Sequence, residues 1–189
     1  MKINIVFVCL FSLLLLSCSK NNDTNDLIDH LECTNTNAHV LFQSDYENNA
    51  WSYTHRGWFI NCQGTCRAYN LNKDSSWKND NNTLTSEELH HNYQLGETNF
   101  HQIDTETLSE MYAMAIAVEN GSLENVLPHM ADAGIQEYSS YRYEESNNLY
   151  KKILLHQEGD FNIINHHPNI ITLKEWLVQV QQIYTESIY

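Results

Sequence analysis

Proline and glycine are scarce in this chain, with two and six among 189 residues. That excludes collagen-like repeats and long Gly/Ser or Pro-rich linkers. Cations are also few: 10 Lys+Arg stand against 24 Asp+Glu, a formal net charge of −14. A phosphate backbone needs a basic stripe, so nucleic acid is excluded as a partner. Electrostatic docking onto anionic lipid headgroups is excluded for the same reason. HExxH, G-x-S-x-G, a Walker loop and a dinucleotide fingerprint are all absent, as is any internal repeat. What is present is a 42% hydrophobic composition with eleven Tyr and four Trp. That is enough to build a core and argues against wholesale disorder. The length allows one domain, or one domain plus a tether.

The N-terminal segment is the most informative. Lys2 is the only charged residue before Lys20, and residues 5–16 are nearly all apolar, broken only by Ser12. This run is too short for a bilayer-spanning helix, which needs about 20 residues. A short apolar run behind a basic residue reads as an export signal. It ends in Leu15-Leu16-Ser17-Cys18, which resembles the bacterial lipoprotein box, a small residue before an obligatory Cys. The resemblance implies cleavage between Ser17 and Cys18 and lipidation of the Cys18 thiol, palmitate included. The expected organisation is a signal peptide over 1–17, a flexible acidic, Asn-rich tether over 18–32, and a globular domain over 33–189. Ser19 is not Asp, which by the enteric-bacterial rule directs a lipoprotein away from the inner membrane. The run Lys20-Asn21-Asn22-Asp23 loosely resembles the surface-export tethers of Bacteroidota lipoproteins. The expected location is therefore the cell envelope, at the periplasmic or surface face of the outer membrane. The expected partners are the membrane, held through the N-terminal lipid, and a protein or glycan.

The five cysteines are Cys9, Cys18, Cys33, Cys62 and Cys66. Cys9 leaves with the signal and Cys18 takes the lipid. Three remain in an oxidising compartment, where disulfides persist. Cys62 and Cys66 flank a turn at Gly64 and could bridge each other; Cys33 could bridge either, and one thiol stays unpaired. Zinc on His30, Cys33, Cys62 and Cys66 is the sharper alternative, but C-x₃-C is a poor zinc spacing. No cofactor is expected.

Residues 38–43, 51–55, 57–62 and 66–71 are rich in aromatic and β-branched side chains, with Gly57 and Gly64 between them, and predict an antiparallel meander. Residues 72–83 lack periodicity and predict a long loop. Thr85-Ser86-Glu87-Glu88 is a capping box that starts a short helix, with Leu84 and Leu89 placed as a staple, ending before Gly96. Asp104 fits the N-cap of a second helix, on which Leu108, Met111, Tyr112, Ala115 and Val118 share one face. Asn120-Gly121 should end it with a left-handed residue. Residues 135–143 and 149–156 predict a hairpin turning at Asn147-Asn148, and 157–170 a loop. Thr172-Leu173-Lys174-Glu175 reads as the capping box of a terminal helix with Leu173, Trp176, Leu177, Val180, Ile183 and Tyr184 on one face. The expected fold is one α+β domain: an antiparallel sheet (strands, helix, hairpin, helix) with two amphipathic helices packed on one face.

Cys62-Gln-Gly-Thr-Cys66-Arg-Ala-Tyr resembles C-x-G-x-C-P-x-Y, an opening strand motif of an uncharacterised domain in Bacteroidota lipoproteins; Arg67 stands where that pattern has Pro. The order strand pair, helix, Ala131-Asp132-Ala133-Gly134 before a Tyr138-bearing strand, second strand, Pro168 and terminal helix is similar to that of emfourins. These are small protein inhibitors of thermolysin-like metalloproteases, so the likeness implies a binding module.

Ten His in the chain raise metal or catalytic readings. Glu87 and His91 are four apart on the short helix, with His101 ten residues on. His166-His167 lie near Asp160, and His129 near Asp132, as His–carboxylate candidates. Against these stands composition, since both residue types are abundant. Trp58 and Tyr69, with Trp51 and Tyr53, come from adjacent strands and could form an aromatic surface, although core packing is the plainer reading. Trp77, in the Asn-rich loop, is the candidate for an exposed binding residue. The expected function is therefore a non-enzymatic, lipid-anchored envelope lipoprotein with a binding domain. The alternatives are an emfourin-like inhibitor of a secreted metalloprotease and a metal-dependent hydrolase using its His residues.

Overall fold

The computed structural model describes residues 39–50, 52–73, 75–78, 82–126 and 132–188. The expectations for the signal, Cys18, the tether, Cys33, His30, Trp51, His129 and Ala131 lie outside the described residues. Nine strands and three helices follow in the order β1 (Val40–Asn48), β2 (Thr54–Asn61), β3 (Thr65–Leu71), β4 (Thr83–Thr85), α1 (Ser86–Gln94), β5 (Thr98–Gln102), α2 (Thr105–Val118), β6 (Leu123–Val126), β7 (Ile135–Glu144), β8 (Leu149–Gly159), β9 (Asn162–Asn165) and α3 (Ile170–Ile188). The strands form one sheet in the order β5-β3-β2-β1-β7-β8-β9-β6, with β4 paired to β8. Every pairing is antiparallel. The fold is the α+β sheet domain expected. Among the described residues no helix is long and apolar enough to cross a membrane.

Strand alternation splits the buried residues between the two faces. On one face Phe42, Trp58, Ile60, Tyr138, Ile153 and Leu155 pack under α2 (Leu108, Met111, Tyr112, Ala115, Val118) and α3 (Leu173, Leu177, Val180, Tyr184). These are the two amphipathic helices on one face. On the other, Val40, Phe59, Tyr69, Leu71, Tyr141 and Tyr150 pack with Leu84, Leu89 and Tyr93 of the β4–α1 region, and with Trp77.

Local chemistry explains most of the element boundaries. The Thr85 hydroxyl accepts from the Glu88 N–H while the Glu88 carboxylate accepts from the Thr85 N–H, a complete capping box. Asp104 accepts from the Thr107 N–H at the start of α2. Asn148 turns the β7–β8 hairpin with φ 53°.

Other expectations need correction. Gly57 does not separate two strands; it lies inside β2. β9 lies in the stretch 157–170 expected as a loop, and β5 and β6 lie where no element was expected, because four- and five-residue strands carry too little alternation to register. Thr172 does not cap α3. The helix begins at Ile170, and the Leu173 N–H donates to the Asn169 carbonyl, so the true first turn lies upstream. Gly121 is not left-handed either. A Cβ there would meet Asn165 Oδ1 at 2.1 Å, so what selects glycine is the close approach of the β9 end.

Candidate functional site

Toward one end of the sheet, beside the last turns of α3, the helix-covered face changes character. Toward that end Phe42 gives way to Ser44 and Tyr46 on β1, and Ile60 to Trp58 and Arg56 on β2. On β7, Tyr138 gives way to Gln136. The register sets four of these residues side by side: Arg56 is opposite Tyr46, Tyr46 opposite Gln136, and Gln136 opposite Glu158. The row crosses β2, β1, β7 and β8, and neighbouring strands lie about 4.8 Å apart.

Above this row lies a groove made of three adjoining cavities. The central one, about 410 Å³, is roofed by Gln181, Tyr184, Thr185 and Ile188 of α3. It shares Tyr46, Gln136 and Glu158 with a cavity of about 380 Å³ at Gly134, Gly159 and Asn162. On the other side it shares Arg56, Tyr184 and Ile188 with one of about 250 Å³ bounded by Asn70, Thr98 and Phe100.

Hydrogen bonds hold the floor rigid. Gln181 Oε1 accepts from Trp58 Nε1 at 2.8 Å and from Ser44 Oγ at 3.1 Å. Gln136 Nε2 donates to Ser44 Oγ at 2.9 Å and to the Asp45 carbonyl at 3.1 Å. Tyr46 Oη donates to the Ala133 carbonyl, and its ring carries the Arg56 guanidinium 5.4 Å from the centroid. A groove whose walls are already fixed loses little conformational entropy on binding.

The chain matches no family model, no curated protein and no solved structure.

The aromatic residues expected to bind are elsewhere. Trp58 pairs with Ala68 and Tyr69 with Gly57, one register step apart, so their side chains point to opposite faces. Both are buried, and the four-residue aromatic surface does not form. Trp77 is half-buried, stacked on Phe59 at 5.8 Å and edge-on to His55 at 4.8 Å. Its loop is pinned rather than free: the buried Asn92 side chain accepts from the Lys78 N–H and donates to the Lys78 carbonyl, both at 2.8 Å. The groove residues Tyr46, Arg56, Gln136 and Glu158 were missed. Their signal is the period-2 change from apolar to polar along each strand, which is visible only once strand ends are known.

The His candidates also resolve differently. His91 bonds to Ser76 rather than chelating with Glu87, and His166 pairs with Glu124 at 2.7 Å rather than with Asp160. Among the described residues no three His, Cys, Asp or Glu side chains are grouped to hold a metal ion.

One His–carboxylate pair was not anticipated. On the α1 face, His55 Nε2 meets Asp45 Oδ1 at 2.8 Å, with His55 nearly buried. Tyr69 Oη donates to the same oxygen at 2.6 Å, and Gln43 Nε2 donates to Tyr69 at 2.9 Å. Burial opposes the imidazolium, but the hydrogen bond and charge of Asp45, aided by Glu47, outweigh it and raise the His55 pKa above the ordinary value. A raised folded-state pKa means that the folded protein binds the proton more tightly. The stabilisation is complete below the unfolded His value, about 6.5, and is lost as pH climbs through the folded value. Asp45→Asn should lower the His55 midpoint, followed by NMR titration of its ring proton, and remove this contribution to the pH slope of Tm. An unchanged midpoint would show that Asp45 does not hold the charge.

The cysteines separate as well. Cys62 is disulfide-bonded, while Cys66 is free, buried, and pushed up to about 12 by burial. The Cys62–Cys66 bridge therefore does not form. Cys66 stands opposite Ile60 in the β2–β3 ladder, inside the core. The partner of Cys62 lies outside the described residues, where Cys33 is the candidate that the sequence offers. Non-reducing peptide mapping of the full-length protein should join the Cys33 and Cys62 peptides. A thiol reagent should find Cys66 only after denaturation. Labelling of Cys66 in the native protein, or a free Cys33, would contradict this assignment.

Proposed function

We propose that this chain is a lipid-anchored protein of the cell envelope, held at the outer membrane through Cys18, whose α+β domain is a binding module and not an enzyme. The observation that carries the binding assignment is the groove of adjoining cavities over the Arg56–Tyr46–Gln136–Glu158 row. Ligand sites are preformed concavities with a few placed polar groups, and these adjoining cavities share lining residues across four strands. Its floor amides and hydroxyl bond to one another, an arrangement suited to holding shape. Leu15-Leu16-Ser17-Cys18 supports the anchor. The tether of residues 18–32, fully extended, would carry the domain about 50 Å from the membrane.

The test has two arms. Cys18→Ala should move the protein from the membrane to the soluble fraction; unchanged partitioning and mass would remove the lipid anchor. In the second arm, libraries of short peptides and oligosaccharides are screened by thermal shift on the full-length protein in detergent. A ligand at 100-fold its Kd stabilises by about 2.7 kcal/mol, or roughly 5–10 °C for a domain of this size. Gln136→Trp, which fills the middle of the groove, should abolish the shift. A ligand that stabilises both forms equally would place binding elsewhere, and libraries without a stabilising member would count against the groove.

A further inference from the structure

We infer that the groove takes a short, extended peptide of three or four residues with both termini free, its carboxylate at Arg56 and its amino group at Glu158. The inference rests on the groove reading above and adds the chemistry of the occupant.

The row carries opposite charges at its two ends and none between: Arg56, then Tyr46 and Gln136, then Glu158. Three strand spacings separate the ends, about 14 Å. An extended peptide rises about 3.4 Å per residue, so three or four residues bring a carboxylate and an amine within reach of the two side chains.

Both ends have unused bonding capacity. Of the three arginines, Arg142 is bonded to Glu119 and Glu144, and Arg67 donates to the Gly96 carbonyl. Among the described residues Arg56 has neither a carboxylate nor a hydrogen-bond acceptor, only the Tyr46 ring beneath it. A guanidinium laid on an aromatic face keeps its edge donors free for the two-point grip that suits a carboxylate. At the other end, His156 at 3.2 Å and Lys174 at 4.0 Å both approach Oε2 of Glu158. Oε1 has no partner among the described residues, and the carboxylate is about half exposed.

The alternatives fit less well. A polyanion would be repelled by a chain of net charge −14 and by Glu97 beyond Arg56. A neutral sugar chain leaves Arg56 with no counter-charge and Oε1 of Glu158 with no cation. A strand-adding polypeptide needs a free ladder edge, whereas β2, β1 and β7 are paired on both sides. Recognition must then come from side chains and termini. The flanking cavities at Phe100 and at Gly159 would take the terminal side chains.

The test is affinity selection by mass spectrometry on the full-length protein in detergent. The probe is a randomised tetrapeptide library with free termini, run beside its N-acetylated form, its C-amidated form, and di- and hexapeptide libraries. Free tetrapeptides should be retained at least tenfold better than either capped form, with a length optimum at three to four residues. Arg56→Gln should erase discrimination between acid and amide but keep that between amine and acetyl; Glu158→Gln should do the reverse. Both side chains are solvent-accessible, so the melting temperature of the apo variants should stay at the wild-type value. Equal retention of capped peptides, or indifference to either substitution, would overturn the inference. Retention of neutral oligosaccharides that Gln136→Trp abolishes would overturn the peptide while leaving the groove. Retention of nothing by the groove would remove both.

Discussion

Trp58→Ala should destabilise the full-length protein by about 3–5 kcal/mol, the range for truncating a buried large aromatic. Trp58 has no accessible surface and lies in the core between β2 and α3. Its indole N–H donates to Gln181 at 2.8 Å, so truncation opens a cavity and also leaves Gln181 with Ser44 alone. Trp58→Phe separates the two effects. It keeps most of the ring and loses the hydrogen bond, and should cost about 1 kcal/mol for the bond plus a smaller packing loss. Urea denaturation measures both. A Trp58→Ala protein with wild-type stability would mean that the indole is not part of the core. Because Gln181 also walls the groove, the alanine variant should lose ligand retention even where it remains folded.

Gly57→Ala should be as damaging, for a different reason. Gly57 does not have positive φ, so backbone strain is not the cause. An added Cβ would come within 1.9 Å of the Ser44 carbonyl oxygen and 2.7 Å of Tyr69 Oη. Two backbones would have to part in the middle of the β1–β2 ladder, where the sheet is paired on both sides. Overpacking of this kind costs about 3 kcal/mol or more. The glycine is what lets Tyr69 lay its hydroxyl on β1, within 2.6 Å of Asp45, so it underlies the Asp45–His55 pair as well. A double-mutant cycle with Tyr69→Phe checks this account. Removing the hydroxyl relieves one clash and leaves the carbonyl clash, so the double variant should be less destabilised than the two single effects added. Strict additivity would show that Gly57 and Tyr69 do not meet.

These two residues show how far local sequence carries. Thr85 with Glu88, and Asp104 with Thr107, cap their helices in the structure as their spacing predicts. A cap needs only neighbours in the chain. The buried stripes of α2 and α3 were equally legible, because a helix repeats its facing positions every three to four residues. Gly57 misled because glycine marks turns more often than close strand packing. Thr172 misled because a capping-box pattern inside a helix looks the same as one at its start. Trp58 and Tyr69 are core, as the plainer reading of them had it, but only register tells which face each occupies.

By itself, the sequence determined the acidic charge, the α+β class, the helix caps and the two helical faces, each of which depends on composition or on residues a few positions apart. Tertiary structure alone decided that Cys66 stays free, that Asp45 meets His55, and that Arg56, Tyr46, Gln136 and Glu158 form one row. Those four residues come from strands up to about a hundred positions apart, and nothing local encodes strand order. They became neighbours when β1 paired with β2 on one side and with β7 on the other. The last turns of α3 close over them, and Gln181, Tyr184, Thr185 and Ile188 line the same cavity.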